Sequence, residues 1–292
     1  MRTGARLGQH FLKHAWAAAK LAHAIEVRPG ERIVEIGPGK GVLTRELLAR
    51  GPVVAIEKDE ALVRILQETF SEEIFSGKLI IIAGDVRDIV IEPRKAVPDA
   101  RHGEAVSESY KSTVSETLRL RNEADGIELR GGYVVAANIP YYITGEIIRQ
   151  FLTAEKQPRA MALLIQKEVA QRITSEKESI LSLSVKAYGT PKIIAKVSRT
   201  HFSPPPSVDS AILAINNISK AFFDEITEED FFRVIHAGFA QKRKMLANNL
   251  SSIVEKEKIA AVFEQTGIDA KARAEDVPLA KWKQLTLMSR AL

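Results

Sequence analysis

A chain of 292 residues, 45% hydrophobic and 27% charged, carries enough apolar material for one large domain or two and lacks the bias of a disordered or fibrous protein. Lys and Arg number 42 against 37 Asp and Glu, an excess of 5 that permits a polyanionic partner without requiring one. With no cysteine, disulfides and thiolate metal sites are excluded; no apolar run reaches the roughly 18 residues of a membrane helix, so neither a metal nor a membrane partner is expected.

The first 25 residues hold several cations and no acid, as a presequence would. They also contain Leu7-Gly8-Gln9-His10-Phe11-Leu12, a motif that cleavage would remove, so a cytoplasmic protein is expected. The polar arm Arg2–Leu12 leads into an alanine-rich helix from about His14 to Glu26, stopped by Pro29-Gly30. Ile33, Val34 and Ile36 then form a short β-branched run, the signature of a buried parallel strand. Gly37, Gly39 and Gly41 follow at alternate positions, and Val42–Arg50 returns to helical spacing. Glycines in such a turn let the backbone approach a ligand closely, and the helix start offers free N–H groups. A dinucleotide fingerprint would place a glycine where Val42 stands. With Glu35 two residues before the first glycine, the pattern instead resembles the cofactor loop of class I S-adenosylmethionine (SAM) methyltransferases.

Pro52–Ile56 reads as a second strand ending in Glu57, about 20 residues beyond Gly37, the interval suited to a carboxylate that holds a ribose diol. A helix near Glu60–Phe70 precedes the strand Leu79–Ala83 and then Gly84-Asp85. Asp85 is either a helix cap or an acceptor for an adenine amine; with two neighbouring strand tips already equipped, ligand contact is favoured. Between Glu92 and Gly132 the chain has eight acids, seven Lys or Arg and few large aliphatics, so it cannot build a core and reads as an insertion or flap. Val106, Tyr110, Val114 and Leu118 recur every four residues there and predict a single exposed helix.

Tyr133–Ala137 is another buried strand, and it ends in Asn138-Ile139-Pro140-Tyr141. Adenine N6 is a poor nucleophile because its lone pair is delocalised into the ring. An acceptor pair holding both N–H hydrogens draws the nitrogen toward tetrahedral geometry. The Asn138 side-chain oxygen and the Ile139 carbonyl supply such a pair, Pro140 fixes the turn, and Tyr141 offers a face for the base. The bland alternative is an Asn-Pro turn with a core Tyr.

These motifs, with Gln166-Lys167-Glu168-Val169 and Phe202-Ser203-Pro204-Pro205-Pro206, resemble the bacterial-type small-subunit rRNA adenine N6,N6-dimethyltransferase family across nearly the whole chain. The resemblance implies a Rossmann-like, mostly parallel α/β sheet of the class I SAM-dependent methyltransferase type, with a small C-terminal all-helical domain. It implies that His10 and Leu12 close over SAM, that Gly37 and Gly39 line it, that Glu57 holds its ribose and Asp85 its adenine. It places Asn138 at the catalytic position, also against the cofactor, with Ile139 and Pro140 beside it and Tyr141 and Phe202 flanking a flipped base. The Glu92–Gly132 segment exceeds the family's usual connection by roughly thirty residues.

Further strands are expected at Met161–Ile165, Ile193–Val197 and Val208–Ile215, after which apolar spacing is helical from Ser219 to Leu292. The division is therefore 1–217, a methyltransferase domain with its insertion at about 92–132, and 218–292, a helical RNA-binding domain. In Phe239–Leu250 an inward stripe of Phe239, Leu246 and Leu250 leaves Gln241, Lys242 and Lys244 outside. A charge run of that kind is usually a solvated face. Here it resembles the family's basic motif, as does Arg273-Ala274-Glu275-Asp276. Arg2, Arg6, Lys242, Arg243 and Lys244 are accordingly the RNA-binding candidates. The expectation is a monomer that dimethylates two adjacent adenosines near the 3′ end of small-subunit (16S) rRNA in the pre-30S particle and assists its biogenesis. The alternatives are a large-subunit methyltransferase conferring antibiotic resistance and a mainly non-catalytic assembly factor.

Overall fold

The computed structural model describes residues 10–13, 15–93, 118–121, 127–129 and 131–290. They divide into two compact units, Met1–Leu164 with Ser198–Ser207, and Ile165–Val197 with Val208–Leu292.

In the first unit, helix α1 (Ala15–Ala22) follows the short strand β1 (Phe11–Leu12). Strands β2 (Arg32–Ile36), β3 (Val53–Glu57), β4 (Leu79–Ala83), β8 (Tyr133–Asn138) and β9 (Met161–Gln166) lie parallel in the order β9-β8-β2-β3-β4. β3 is buried throughout and β8 from Tyr133 to Ala137, which is why they read as continuous apolar runs: a parallel strand covered on both faces has no polar side. The chain moves outward from β2 through β3 and β4, then returns to the other flank of β2 with β8 and β9. The reversal at β2 is where an open parallel sheet leaves a crevice beyond its carboxyl edge. The mostly parallel, Rossmann-like sheet expected from the sequence is therefore present.

Between the strands run α2 (Val42–Leu48), α3 (Glu60–Thr69) and α5 (Thr144–Thr153). Asp59 caps α3 by accepting the Ala61 N–H. The chain leaves α3 at the buried Phe70 and forms a further short helix, α4 (Ser71–Phe75), which buries no residue and left no periodic signal in the sequence. The helix predicted through Leu118 is corrected at its end. Leu118–Arg121 is strand β6, paired antiparallel with both β5 (Val90–Pro93) and β7 (Ile127–Leu129). Four-residue spacing says nothing about a partner strand, and backbone pairing on two sides overrides it. Val106, Tyr110 and Val114 lie outside the described residues.

In the second unit, β10 (Thr190–Val197) and β12 (Ser210–Asn216) pair antiparallel with an irregularity between Ile193 and Ala195. Helices α6 (Lys167–Thr174), α7 (Ile180–Lys186), α8 (Glu228–Gly238), α9 (Leu246–Leu250), α10 (Lys256–Thr266) and α11 (Leu279–Arg290) complete it. Phe231 and Ile235 of α8, Leu246 and Leu250 of α9, Phe263 of α10 and Trp282 of α11 share one core with Leu183 and Ala187. Strands end with β12, close to the boundary read at 217. The compact unit reaches back to Ile165, because packing joins elements that the hydrophobic period separates.

Candidate cofactor and base site

Parallel strands bring their carboxyl ends to one edge. Ile36 pairs with both Ile56 and Ala137, and Glu57 pairs with Ala83, so Gly37, Glu57, Asp85 and Asn138 emerge side by side. Gly37 takes a left-handed φ of +64°, its N–H donates to the Ile56 carbonyl at 2.9 Å, and a Cβ there would meet no atom within 4 Å. The loop thus presents bare backbone to open space. At Gly39 (φ +59°) a Cβ would lie 3.0 Å from the Phe11 ring, so the arm rests directly on the loop. The Lys40 ammonium lies 5.6 Å from the centroid of the same ring.

Glu57, 3% exposed, receives the Gly39 N–H on Oε2 and the Asp59 N–H on Oε1, each at 3.0 Å. Burial pushes its pKa up, while those two N–H groups act against the shift. Behind it, Glu35 is fully buried and neither carboxyl oxygen has a hydrogen-bond partner. Burial raises its pKa to about 8, with the Glu57 charge adding to the effect. The Thr44 hydroxyl opposes the rise, though its geometry falls short of a hydrogen bond. Glu35 is therefore a neutral carboxylic acid at pH 7.

Asp85 is heavily engaged. Its carboxylate accepts from the Arg87 side chain through both oxygens, from the Arg87 N–H, and from Lys58 Nζ at 2.8 Å. Arg87 above all, with Lys58, holds its carboxyl far below the usual carboxylate range. Four donors fill the acceptor capacity of a carboxylate. An adenine amine would therefore displace one of them, and Lys58, 59% exposed, is the freest to leave.

Asn138 donates its amide N–H to the His10 carbonyl at 3.0 Å, which turns Oδ1 away from that contact. Ile139 is buried, with its N–H on the Leu164 carbonyl, and Pro140 at φ −55°, ψ 130° leads into a single 3-10 turn, Tyr141–Ile143. The Tyr141 ring lies 5.7 Å from that of His10. His10 Nδ1 donates to the Pro204 carbonyl at 2.8 Å, and β1 pairs antiparallel with β11 (Phe202–Ser203), setting Leu12 opposite Phe202. Phe202 is 1% exposed, so its ring forms part of the wall in this conformation.

Of the residues expected at the site, His10, Leu12, Gly37, Gly39, Glu57, Asp85, Asn138, Ile139, Pro140, Tyr141 and Phe202 all belong to the first unit, and direct contacts link His10 with Asn138 and Tyr141, Gly39 with Glu57, and Leu12 with Phe202. Arg2 and Arg6 lie outside the described residues. Lys242, Arg243 and Lys244 sit exposed on the turn between α8 and α9 in the second unit. Asn249 holds that turn by donating to the Gly238 and Gln241 carbonyls. Sequence reasoning missed Phe11, the residue that touches the glycine loop, although it stands between two residues it named. It also missed Lys58 and Arg87, the cations beside the strand-tip acids.

A site with bare glycine backbone, a buried carboxylate bonded to the loop and an Asn-Ile-Pro-Tyr tip fits SAM and an adenine amine. Among the described residues no group of three or more His, Asp or Glu side chains is arranged to hold a metal, and no helix is long and apolar enough to cross a membrane. The ribosomal RNA adenine dimethylase family model matches residues 2–289. "Ribosomal RNA small subunit methyltransferase A" of Dehalococcoides mccartyi (strain ATCC BAA-2266 / KCTC 15142 / 195) is 34% identical over 99% of this chain and 89% of its own length. The protein of the same name from Moorella thermoacetica is 34% identical over 96% of this chain and 90% of its own. Among solved structures, the 23S rRNA methyltransferase ErmE aligns with a TM-score of 0.70 at 21% identity over 96% of this chain and 99% of its own. A dimethyladenosine transferase from Plasmodium falciparum aligns with a TM-score of 0.70 at 20% identity over 94% and 96%. At such identities these two likenesses carry the fold. Motifs, site and family match converge: the chain belongs to the ribosomal RNA adenine dimethylase family and is an rRNA adenine dimethyltransferase whose methyl donor is SAM.

Proposed function

We propose that this enzyme dimethylates the N6 amines of two adjacent adenosines near the 3′ end of small-subunit rRNA, acting on the pre-30S particle as a cytoplasmic monomer. The observation that carries the reading is the fixing of Asn138: with its amide N–H on the His10 carbonyl, Oδ1 faces the other way as a ready acceptor. Together with the Ile139 carbonyl it takes both hydrogens of the target amine and localises the nitrogen lone pair. Bound SAM supplies a methyl group on a sulfonium sulfur. As the new N–C bond forms, the methyl–sulfur bond breaks and its electron pair stays on sulfur, which leaves as a neutral thioether; the nitrogen becomes cationic and its proton passes to water. One N–H remains for the second transfer, and one of the two acceptors still orients it. Tyr141 provides the face on which the base lies, with Phe202 in the opposite wall beside the arm at His10–Leu12.

Glu57 holds the ribose, Gly37 and Gly39 let the ligand meet the backbone, and Asp85 takes the adenine by exchanging Lys58 for its amine. Residues 1–217 carry the chemistry, and 218–292, with Lys242, Arg243 and Lys244, carry RNA contacts. The choice of subunit is supported by the small-subunit names of relatives that align over 96–99% of this chain. The large-subunit enzyme ErmE shares fold at 21% identity. Transfer of tritiated methyl groups to unmethylated small subunits, with large subunits as control, tests the reading. Label on large subunits alone would overturn it.

A further inference from the structure

Helix α1 buries Ala17, Ala18, Leu21 and Ala22 and turns a different face outward. On that face stands Trp16, 50% exposed, followed by exposed Lys20 and His23 at positions four and seven further on. An exposed apolar residue by itself needs no explanation. Trp16, however, packs against the His201 ring at 5.7 Å between centroids, tilted by 36°. The His201 carbonyl accepts the N–H of exposed Lys13 at 2.9 Å, and His201 is the chain neighbour of Phe202. No acid occurs between residues 13 and 25. All these residues belong to the first unit.

We propose that the Trp16–His201 pair is a stacking platform for an unpaired nucleobase of the rRNA next to the target adenosine, with Lys13 and Lys20 meeting its phosphates. The inference rests on the methyltransferase reading above and extends its substrate contacts beyond the flipped base. A single-stranded polyanion fits because its flexible backbone lets each base lie on an aromatic face while cations track the phosphates. A protein segment docking on an apolar patch would have no use for the cations and would favour a broader aliphatic surface. Trp16 is the most exposed large apolar residue described on α1, and exposed Lys20 and His23 share its face.

The chain has two tryptophans, and Trp282 is fully buried, so exposed indole fluorescence reports on Trp16. Titrating the full chain with a short single-stranded RNA oligonucleotide should quench that emission. Trp16→Ala should weaken RNA affinity roughly 5- to 150-fold, the span of one lost base stack. Trp16→Phe, which keeps an aromatic face, should stay within about threefold of the parent. SAM affinity by calorimetry should match the parent in both variants. The proposal is overturned by an absent quench, by equal losses in the Ala and Phe variants, or by a loss of SAM binding in Trp16→Ala. It is also overturned if Trp16→Ala weakens binding to intact small subunits while leaving oligonucleotide affinity unchanged, since the face would then belong to a ribosomal protein. Failure of the underlying reading is separately visible, because the parent chain would then transfer no methyl group to small subunits.

Discussion

Two side chains at the carboxyl edge of the sheet, Asn138 half-buried and Glu35 fully buried, do opposite things. Asn138 is held by one hydrogen bond and presents an oxygen to the site. Glu35 has no hydrogen bond and keeps its proton. Removing a preorganised acceptor costs catalysis about 10²-fold or more, so Asn138→Ala should lose at least that much methyl transfer while SAM affinity measured by calorimetry is retained. Turnover near that of the parent would remove Asn138 from the catalytic position. For Glu35 the sign follows from linkage. Its pKa rises from 4.5 to about 8 on folding, so between those values the folded state binds the proton that the unfolded state has released. Stability contributed by this group therefore falls as pH rises from about 4.5 to 8, by at most about 1.4 kcal/mol per pH unit, and is level above that. Glu35→Gln removes the titration. Denaturant midpoints at pH 5, 7 and 9 should show the variant gaining on the parent up to pH 8, whereas parallel profiles would mean that Glu35 is ionised in the fold. Glu57, shifted in the same direction, is common to both proteins.

At the scale of elements, the site is a property of strand ends. No helix or strand contains it whole: β2 contributes the glycine loop, β3 an acid, β8 the Asn-Ile-Pro-Tyr tip, and the β1–β11 pair lays the arm over them. That division explains why the arm matters although it is short, since Phe11 covers Gly39 and the His10 backbone orients Asn138. In the second unit the corresponding anchor is Trp282 of α11. It is 0% exposed, stacks on Phe239 at 5.5 Å and leaves no room for a side chain at Gly238. Trp282→Ala should therefore destabilise the protein by about 3–5 kcal/mol in chemical denaturation. A loss below about 1 kcal/mol would show that the helices do not depend on this contact.

At the scale of the whole molecule, rRNA has to be gripped by more than its target base. One flipped adenosine gives too little contact to select a ribosomal site, so phosphate contacts must position the protein. A net charge of +5 is small for that task, which requires the cations to be clustered. Lys242, Arg243 and Lys244 are such a cluster, exposed on a turn that Asn249 holds from inside. Replacing Lys242 and Lys244 with Gln should flatten the log–log salt dependence of small-subunit binding by about one to two units and leave SAM affinity alone. An unchanged slope would place the grip elsewhere, on the N-terminal arm or the 92–132 insertion.

The sequence by itself determined the strand-turn-helix at Gly37, the acids at the tips of β3 and β4 and the Asn138–Tyr141 turn, because backbone-driven features leave local marks: glycine, proline, and runs of β-branched residues. The helical character of the C-terminal segment was legible for the same reason, through its apolar period. Tertiary structure alone decided what those residues touch. That Lys58 reaches Asp85, that Glu35 is a neutral acid, and that Phe202 is walled in opposite Leu12 all depend on partners well separated along the chain. Leu118 carries the same lesson, since a helical spacing written into the sequence gave way to strand pairing on both sides. Hydrophobic period is a one-dimensional signal, whereas charge state, exposure and strand partners are set by three-dimensional neighbours that no local pattern encodes.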